Sequence, residues 1–320
     1  MACKNCATSS HLPPRCKLID ALICHVAAQG DGSGICRQRL RVAVIGAPNV
    51  GKSSLLNALV GEKTSIVTDL AGTTRDQIRG FAGNFEIIDT PGMFKSETLL
   101  GKHMRKSISA AVTVADVILY VLDATNFDKG EVQKISNYRQ KEIPVIIAVN
   151  KVDITKPDKL FPKLETLRTL DFVRAIVPIS AKTGNNIDII LRELSAIAPV
   201  TQPIDDDTYT DQSIRQMACE IIRGNVIQKT RQEIPHGITV VITKFLESDT
   251  ATEIHAEIIC EKPTHKPIII GAKGSLLKAI GTKSRLEIEK LTDTRIKLYT
   301  HVVVRPNWKN DKEIIKSELV

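Results

Sequence analysis

The chain has 320 residues, of which 42% are hydrophobic and 25% charged, and a formal net charge of +8. This is the balance of a soluble globular protein of about two domains. It excludes a membrane-spanning segment, because no apolar run approaches the roughly 18–20 residues required, and the best run, 18–28, is interrupted by Asp20 and His25. The positive balance points to an anionic partner, either nucleic acid or an acidic membrane surface. With aromatics at only 4%, the core must be built from Ile, Val, Leu and Ala.

Residues 1–39 differ from the rest and read as a flexible leader. They hold Cys3, Cys6, Cys16, Cys24 and Cys36, leaving only Cys219 and Cys260 in the body of the chain. So few cysteines exclude a disulfide scaffold and suit a reducing, cytoplasmic compartment. The Cys3/Cys6 spacing is that of a metal-ligand pair, but no second pair matches it. The leader has no clean signal pattern, and organelle targeting by it stays open.

From Leu40 to Ala198 short apolar runs alternate with longer polar, helix-compatible stretches. The strand-like runs are 41–45, 85–88, 117–122, 145–149 and 175–179. Such alternation predicts an α/β domain with a mainly parallel sheet and helices on both faces. Residues 199–207, with two prolines and three consecutive aspartates, read as a linker. A second unit spans 208–320. Helical spacing runs through 211–230, strands are predicted at 238–245 and 253–260, and an apolar strand at 268–270 leads into a glycine-bounded turn. A helix to about Leu291 and a strand at 296–304 complete it.

Chemistry enters at Gly46-Ala47-Pro48-Asn49-Val50-Gly51-Lys52-Ser53-Ser54. The pattern fits a phosphate-binding loop, and it lies between a predicted strand and a predicted helix, as the mechanism requires. Its backbone N–H groups and the helix N-terminus can cradle phosphate oxygens. Lys52 is expected on the β- and γ-phosphates and Ser53 on Mg²⁺. Asp89-Thr90-Pro91-Gly92 follows the next strand and supplies a second Mg²⁺ contact through Asp89 and a γ-phosphate sensor in the Gly92 N–H.

Asn150, Lys151 and Asp153 follow a further strand. A carboxylate at Asp153 can accept from guanine N1–H and N2–H₂, which adenine does not offer. Lys151 is expected to cover the base, and Asn150 to tie this loop to the phosphate loop. Ser180-Ala181-Lys182 can offer a backbone N–H to guanine O6. Four motifs in order, each after a strand, place a guanine-nucleotide site at the carboxyl ends of a parallel sheet. Thr73 and Thr74 lie in a polar stretch expected to close over Mg²⁺ and the γ-phosphate as a switch, with Thr74 as the favoured metal ligand. Met93 stands where a Ras-like site has a water-orienting glutamine. A thioether cannot orient water, so backbone or another element must, and unaided turnover is expected to be slow.

These motifs (GAPNVGKSSL, TTRD, DTPGM, NKVD, SAK) resemble those of the TrmE-Era-EngA-like bacterial GTPases. The segments 215–223, 230–235, 269–281 and 302–308 narrow the resemblance to the Era family, from about Leu40 to the end. The resemblance implies a type II KH domain for the second unit and binding to the 3′ region of 16S rRNA. It also implies a role in assembling the small ribosomal subunit, with the pre-small subunit as partner, GTP or GDP as bound nucleotide and a monomeric state. For Asn49 it implies K⁺ held near the phosphates, with a plain loop hydrogen bond as the alternative.

The residues support the KH reading. Gly271-Ala272-Lys273-Gly274 is a GxxG loop of the kind that clamps about four nucleotides of single-stranded RNA. Ten Lys/Arg stand against three Asp/Glu between Lys262 and Arg305. Lys266, Lys273, Lys278, Lys283 and Arg285 are expected to neutralise phosphate. The same charge leaves peripheral contact with an anionic inner membrane open. One departure is plain: Ala71-Gly72-Thr73-Thr74-Arg75-Asp76 lacks the glutamine that usually precedes these threonines in Era sequences. An RNA-modifying enzyme gated by GTP is the competing reading, but it needs a second catalytic centre, and none is evident outside the leader. A purely structural RNA-binding protein is disfavoured by the presence of Lys52, Ser53, Asp89 and Asp153.

Overall fold

A computed structural model describes residues 39–61, 74–93, 96–126, 129–198, 210, 212–230, 234, 237–248 and 250–319. The leader before Arg39, the linker 199–207 and Thr73 lie outside the described residues.

The first domain is a six-stranded sheet. Its elements are β1 (Leu40–Gly46), α1 (Lys52–Val60), β2 (Ile78–Ala82), β3 (Phe85–Asp89), α2 (Leu99–Val114), β4 (Val117–Asp123), α3 (Lys129–Ser136), β5 (Val145–Asn150), α4 (Pro157–Arg168), β6 (Val173–Pro178) and α5 (Ile187–Ser195). The strand order is β2-β3-β1-β4-β5-β6. β1 pairs in parallel with β3 and β4, β4 with β5, and β5 with β6; only β2 runs antiparallel, against β3. The near-continuous apolar strands follow from burial on both faces. Val42 and Val44 point into one core with α1 and α5, while Ala43 and Ile45 point into the other with α2.

The second domain runs α6 (Ile214–Thr230), β7 (Ile238–Glu247), β8 (Thr252–Cys260), α7 (His265–Ile270), α8 (Ser275–Thr292), β9 (Ile296–Val304) and α9 (Lys312–Leu319). The sheet order is β7-β8-β9, with β7 antiparallel and β9 parallel to β8. One face is buried under α6 and α8 by Ile222, Val226, Ile254, Ile258, Ile280 and Ile288. The opposite face turns Ile259 toward the first domain, where it joins Leu100, Met104, Trp308 and Ile315 in a small buried seam.

The α/β reading of the first domain and the strands at 238–245, 253–260 and 296–304 agree with the structure. Two details are corrected. β2 was not anticipated, because the polar Arg79 and the glycine at position 80 interrupt its apolar pattern. Ile268, Ile269 and Ile270 are not a strand but the end of α7, so the GxxG loop joins two helices. Three consecutive isoleucines carry no period that separates strand from helix, and tertiary packing decides. Among the described residues, no helix is long and apolar enough to cross a membrane.

Candidate nucleotide site and nucleic-acid interface

The phosphate loop leaves β1 and enters α1, at the carboxyl end of the sheet. Asn49 and Gly51 take left-handed backbone angles, φ 63° and 96°. At Gly51 a Cβ would overlap the Asn150 Nδ2 atom, so only glycine allows the two loops to touch. Asn150 Nδ2 donates to the Val50 carbonyl at 2.8 Å, and its Oδ1 accepts from the Ala181 N–H at 2.9 Å. One side chain therefore joins the phosphate loop, the Asn150–Asp153 loop and the Ser180–Lys182 loop, the tie expected of it.

Lys52 is buried, and its Nζ donates to the Gly46 and Ala47 carbonyls at 3.2 and 2.9 Å. Burial pushes its pKa down to about 8, against the opposing pull of Asp89 and Glu131. Ser53 Oγ lies 2.6 Å from Asp89 Oδ2 and 3.0 Å from Thr74 Oγ1. The three residues proposed for the metal thus converge although 36 positions separate Ser53 from Asp89. The donor set is all oxygen, two hydroxyls and a carboxylate, which suits Mg²⁺. Thr90 is buried with its hydroxyl donating to the Val44 carbonyl at 2.8 Å, which fixes the strand end rather than a ligand. Pro91 and Gly92 are also buried, and Gly92 packs directly on Pro48.

Met93 donates its N–H to the Gly46 carbonyl at 3.2 Å, while its side chain packs into the α2-side core. Its sulfur lies 4.0 Å from the Tyr138 hydroxyl. No polar side chain is contributed at that position, as the sequence indicates. Lys151 takes φ 67° and pairs with Asp123 at 2.6 Å. Burial pushes the Asp123 carboxyl up, but hydrogen bonds from Lys151 and Thr125 outweigh it and hold the pKa below the usual carboxylate range. Asp123 was not anticipated; its only signal is its place at the end of β4. Asp153 and Lys182 are exposed, and Ser180 is buried.

The second candidate site is the helix–loop–helix of α7, Gly271–Gly274 and α8. Gly271 adopts φ 70°, and a Cβ there would press on Leu276 Cβ at 2.6 Å. Ala272 and Lys273 are exposed at the tip, and Lys278 is exposed on the first turn of α8. Lys283 bonds Gln228 and lies 3.8 Å from Glu287, and Arg285 pairs with Glu289 at 2.6 Å. The loop lysines are thus presented to solvent, whereas Lys283 and Arg285 are engaged within their own domain. Arg75 and Trp308, to which the sequence reading gave no role, meet across the seam between the domains.

Comparison with known proteins agrees with this geometry. A family described as 50S ribosome-binding GTPase matches residues 41–151, and the KH domain family matches residues 233–309. GTPase Era of Ruminiclostridium cellulolyticum is 41% identical over 283 residues, covering 86% of this chain and 95% of that protein. GTPase Era of Leuconostoc citreum is 39% identical over 285 residues, covering 86% and 94%. Among solved structures, Era of Aquifex aeolicus bound to GDP.AlF4− superimposes with a TM-score of 0.81 at 34% identity, covering 86% of this chain and 96% of that one. Era in complex with MgGDPNP and nucleotides 1506–1542 of 16S ribosomal RNA gives 0.80 at 34% identity, covering 87% and 98%.

Fold and site together define a P-loop GTPase that carries a KH domain on the same chain. With this likeness over nearly the whole length of its relatives, the chain belongs to the Era family of GTPases.

Proposed function

We propose that this GTPase binds the 3′ region of 16S rRNA through its KH domain, under control of the bound nucleotide, and acts in assembly of the small ribosomal subunit. The observation that carries the reading is the likeness, over 87% of this chain, to an Era solved with both MgGDPNP and a 16S rRNA fragment. Gly46–Ser54 and Lys52 hold the phosphates, Ser53, Thr74 and Asp89 hold Mg²⁺, and Asp153 with a backbone N–H of the Ser180–Lys182 loop reads the guanine edge. When bound, Mg²⁺ neutralises charge on the β- and γ-oxygens. The residues around it orient the triphosphate and keep Thr74 over it. Met93 offers no polar side chain to orient water, and its N–H is engaged by the Gly46 carbonyl, so another element places the water. Asn49 is exposed in the phosphate loop, and hydrolysis rates compared in K⁺ and Na⁺ test whether it holds K⁺ there.

Gly271–Gly274 and Lys278 take the RNA backbone, with Lys283 and Arg285 behind them. The test pairs an RNA oligonucleotide from the 16S 3′ end with the protein loaded with GDPNP or GDP. Tighter binding in the GDPNP form is expected. Gly271→Asp with Gly274→Asp should remove RNA binding and spare GTP binding; loss of both together would refute two separate sites.

A further inference from the structure

The switch run 74–77 does not end its contacts inside the first domain. Thr74 reaches Ser53 at 3.0 Å. The next residue, Arg75, turns the other way: its Nη2 donates to the Ile238 carbonyl of β7 at 2.7 Å, and its guanidinium lies over the Trp308 ring at 5.0 Å. Arg75 is only 5% exposed. A buried guanidinium is tolerated only where its donors and charge are answered, and part of that answer here comes from the KH domain.

The partner side is held equally firmly. Trp308 is fully buried, and its indole N–H donates to the Gly237 carbonyl at 3.2 Å. The start of β7 is therefore gripped at consecutive carbonyls, 237 by the tryptophan and 238 by the arginine. The run continues into α2: Asp76 accepts from the Ser107 hydroxyl at 2.9 Å, and the Gln77 side chain donates to the Ser107 carbonyl at 2.6 Å. The first turn of α2 is itself tied across the seam, Leu99 N–H donating to Asn310 Oδ1 at 3.0 Å.

We propose that Arg75 is a positioning residue for GTP hydrolysis: clasped by Trp308 and the Ile238 carbonyl, it fixes the backbone that carries Thr74, so that the KH domain completes the GTPase switch. The proposal rests on the reading of Ser53, Thr74 and Asp89 as the magnesium site. Coupling of this kind is reciprocal. A triphosphate that gains from a well-placed Thr74 favours the clasped arrangement of the domains, and an RNA that favours that arrangement raises affinity for the triphosphate.

Trp308 is the only tryptophan in the chain, so its emission reports this one spot. The experiment uses the full-length protein as wild type, Arg75→Met and Arg75→Lys. It measures kcat, affinity for GDPNP and for GDP, and tryptophan emission on exchanging GDP for GDPNP. Arg75→Met is expected to lower kcat and GDPNP affinity about tenfold each, leave GDP affinity within twofold, and abolish the nucleotide-dependent change in emission. Arg75→Lys, which keeps a donor and the charge, should recover part of each. Wild-type kcat and wild-type GDPNP-to-GDP preference in Arg75→Met would overturn the proposal, as would equal losses for both nucleotides. If Arg75→Met does not fold, Trp308→Leu decides from the other side by the same ratio: a selective loss for GDPNP supports the clasp, and an unchanged ratio overturns it. Wild-type rRNA affinity that ignores the nucleotide would strike the gating reading alone, since the positioning role is read without RNA.

Discussion

Burial sets the charge state of Lys52, and this has a measurable consequence. With its pKa pushed down to about 8, the ammonium is intact at pH 7 and is lost as the pH rises through that value. Phosphates bind the charged form, so affinity is flat below the pKa and falls above it. GTP affinity is expected to weaken about fourfold between pH 7 and pH 8.5, with proton uptake on binding in calorimetry at pH 8; a flat profile would place the lysine outside the phosphate contacts. At this scale much of the candidate site's geometry was legible: Ser53 meets Asp89 and Asn150 meets the phosphate loop, as motifs whose chemistry demands such residues indicate. Arg75 was visible as a letter in a motif, but its role was not, because its carbonyl partner is 163 positions away. Pairing at that distance leaves no local pattern.

Secondary elements were legible where one physical rule dominated. The double-faced strands β1, β4 and β5 are apolar over 42–45, 117–122 and 145–149, and α6 keeps its helical spacing despite Gly224 and Asn225. The structure explains why Asn225 does no harm. Asn225 is buried and donates to the Ser284 hydroxyl of α8 at 3.1 Å, so the polar side chain fastens one helix to the other. Ser284→Ala strands that amide in the core and is expected to cost about 1–3 kcal/mol, read as a lower urea midpoint for the KH domain. Asn225→Leu together with Ser284→Ala should recover much of the loss. A single variant as stable as the wild type would mean the pair contributes nothing. The helix α7 was misread for the opposite reason: it is too short to show a period.

At the scale of the whole molecule the uneven charge matters most. Ten basic residues against three acidic ones between Lys262 and Arg305 lie in the domain that carries the GxxG loop. For a single strand that contacts about four phosphates, raising salt from about 50 to 200 mM should weaken RNA binding about 50-fold. A change below about threefold would mean that recognition does not run through the phosphates. The sheet of the first domain has a different kind of consequence, in time rather than in charge. β1 is the first of its strands to be synthesised, yet it lies in the middle, between β3 and β4. The contact of Arg41 with Asp116, which locks its start beside β4, joins residues 75 positions apart. At translation rates of about 5–20 residues per second, that partner arrives roughly 4–15 s later. For that interval the apolar run 42–45 has no neighbour on one side, so the nascent chain is most in need of a chaperone while its own centre is already made.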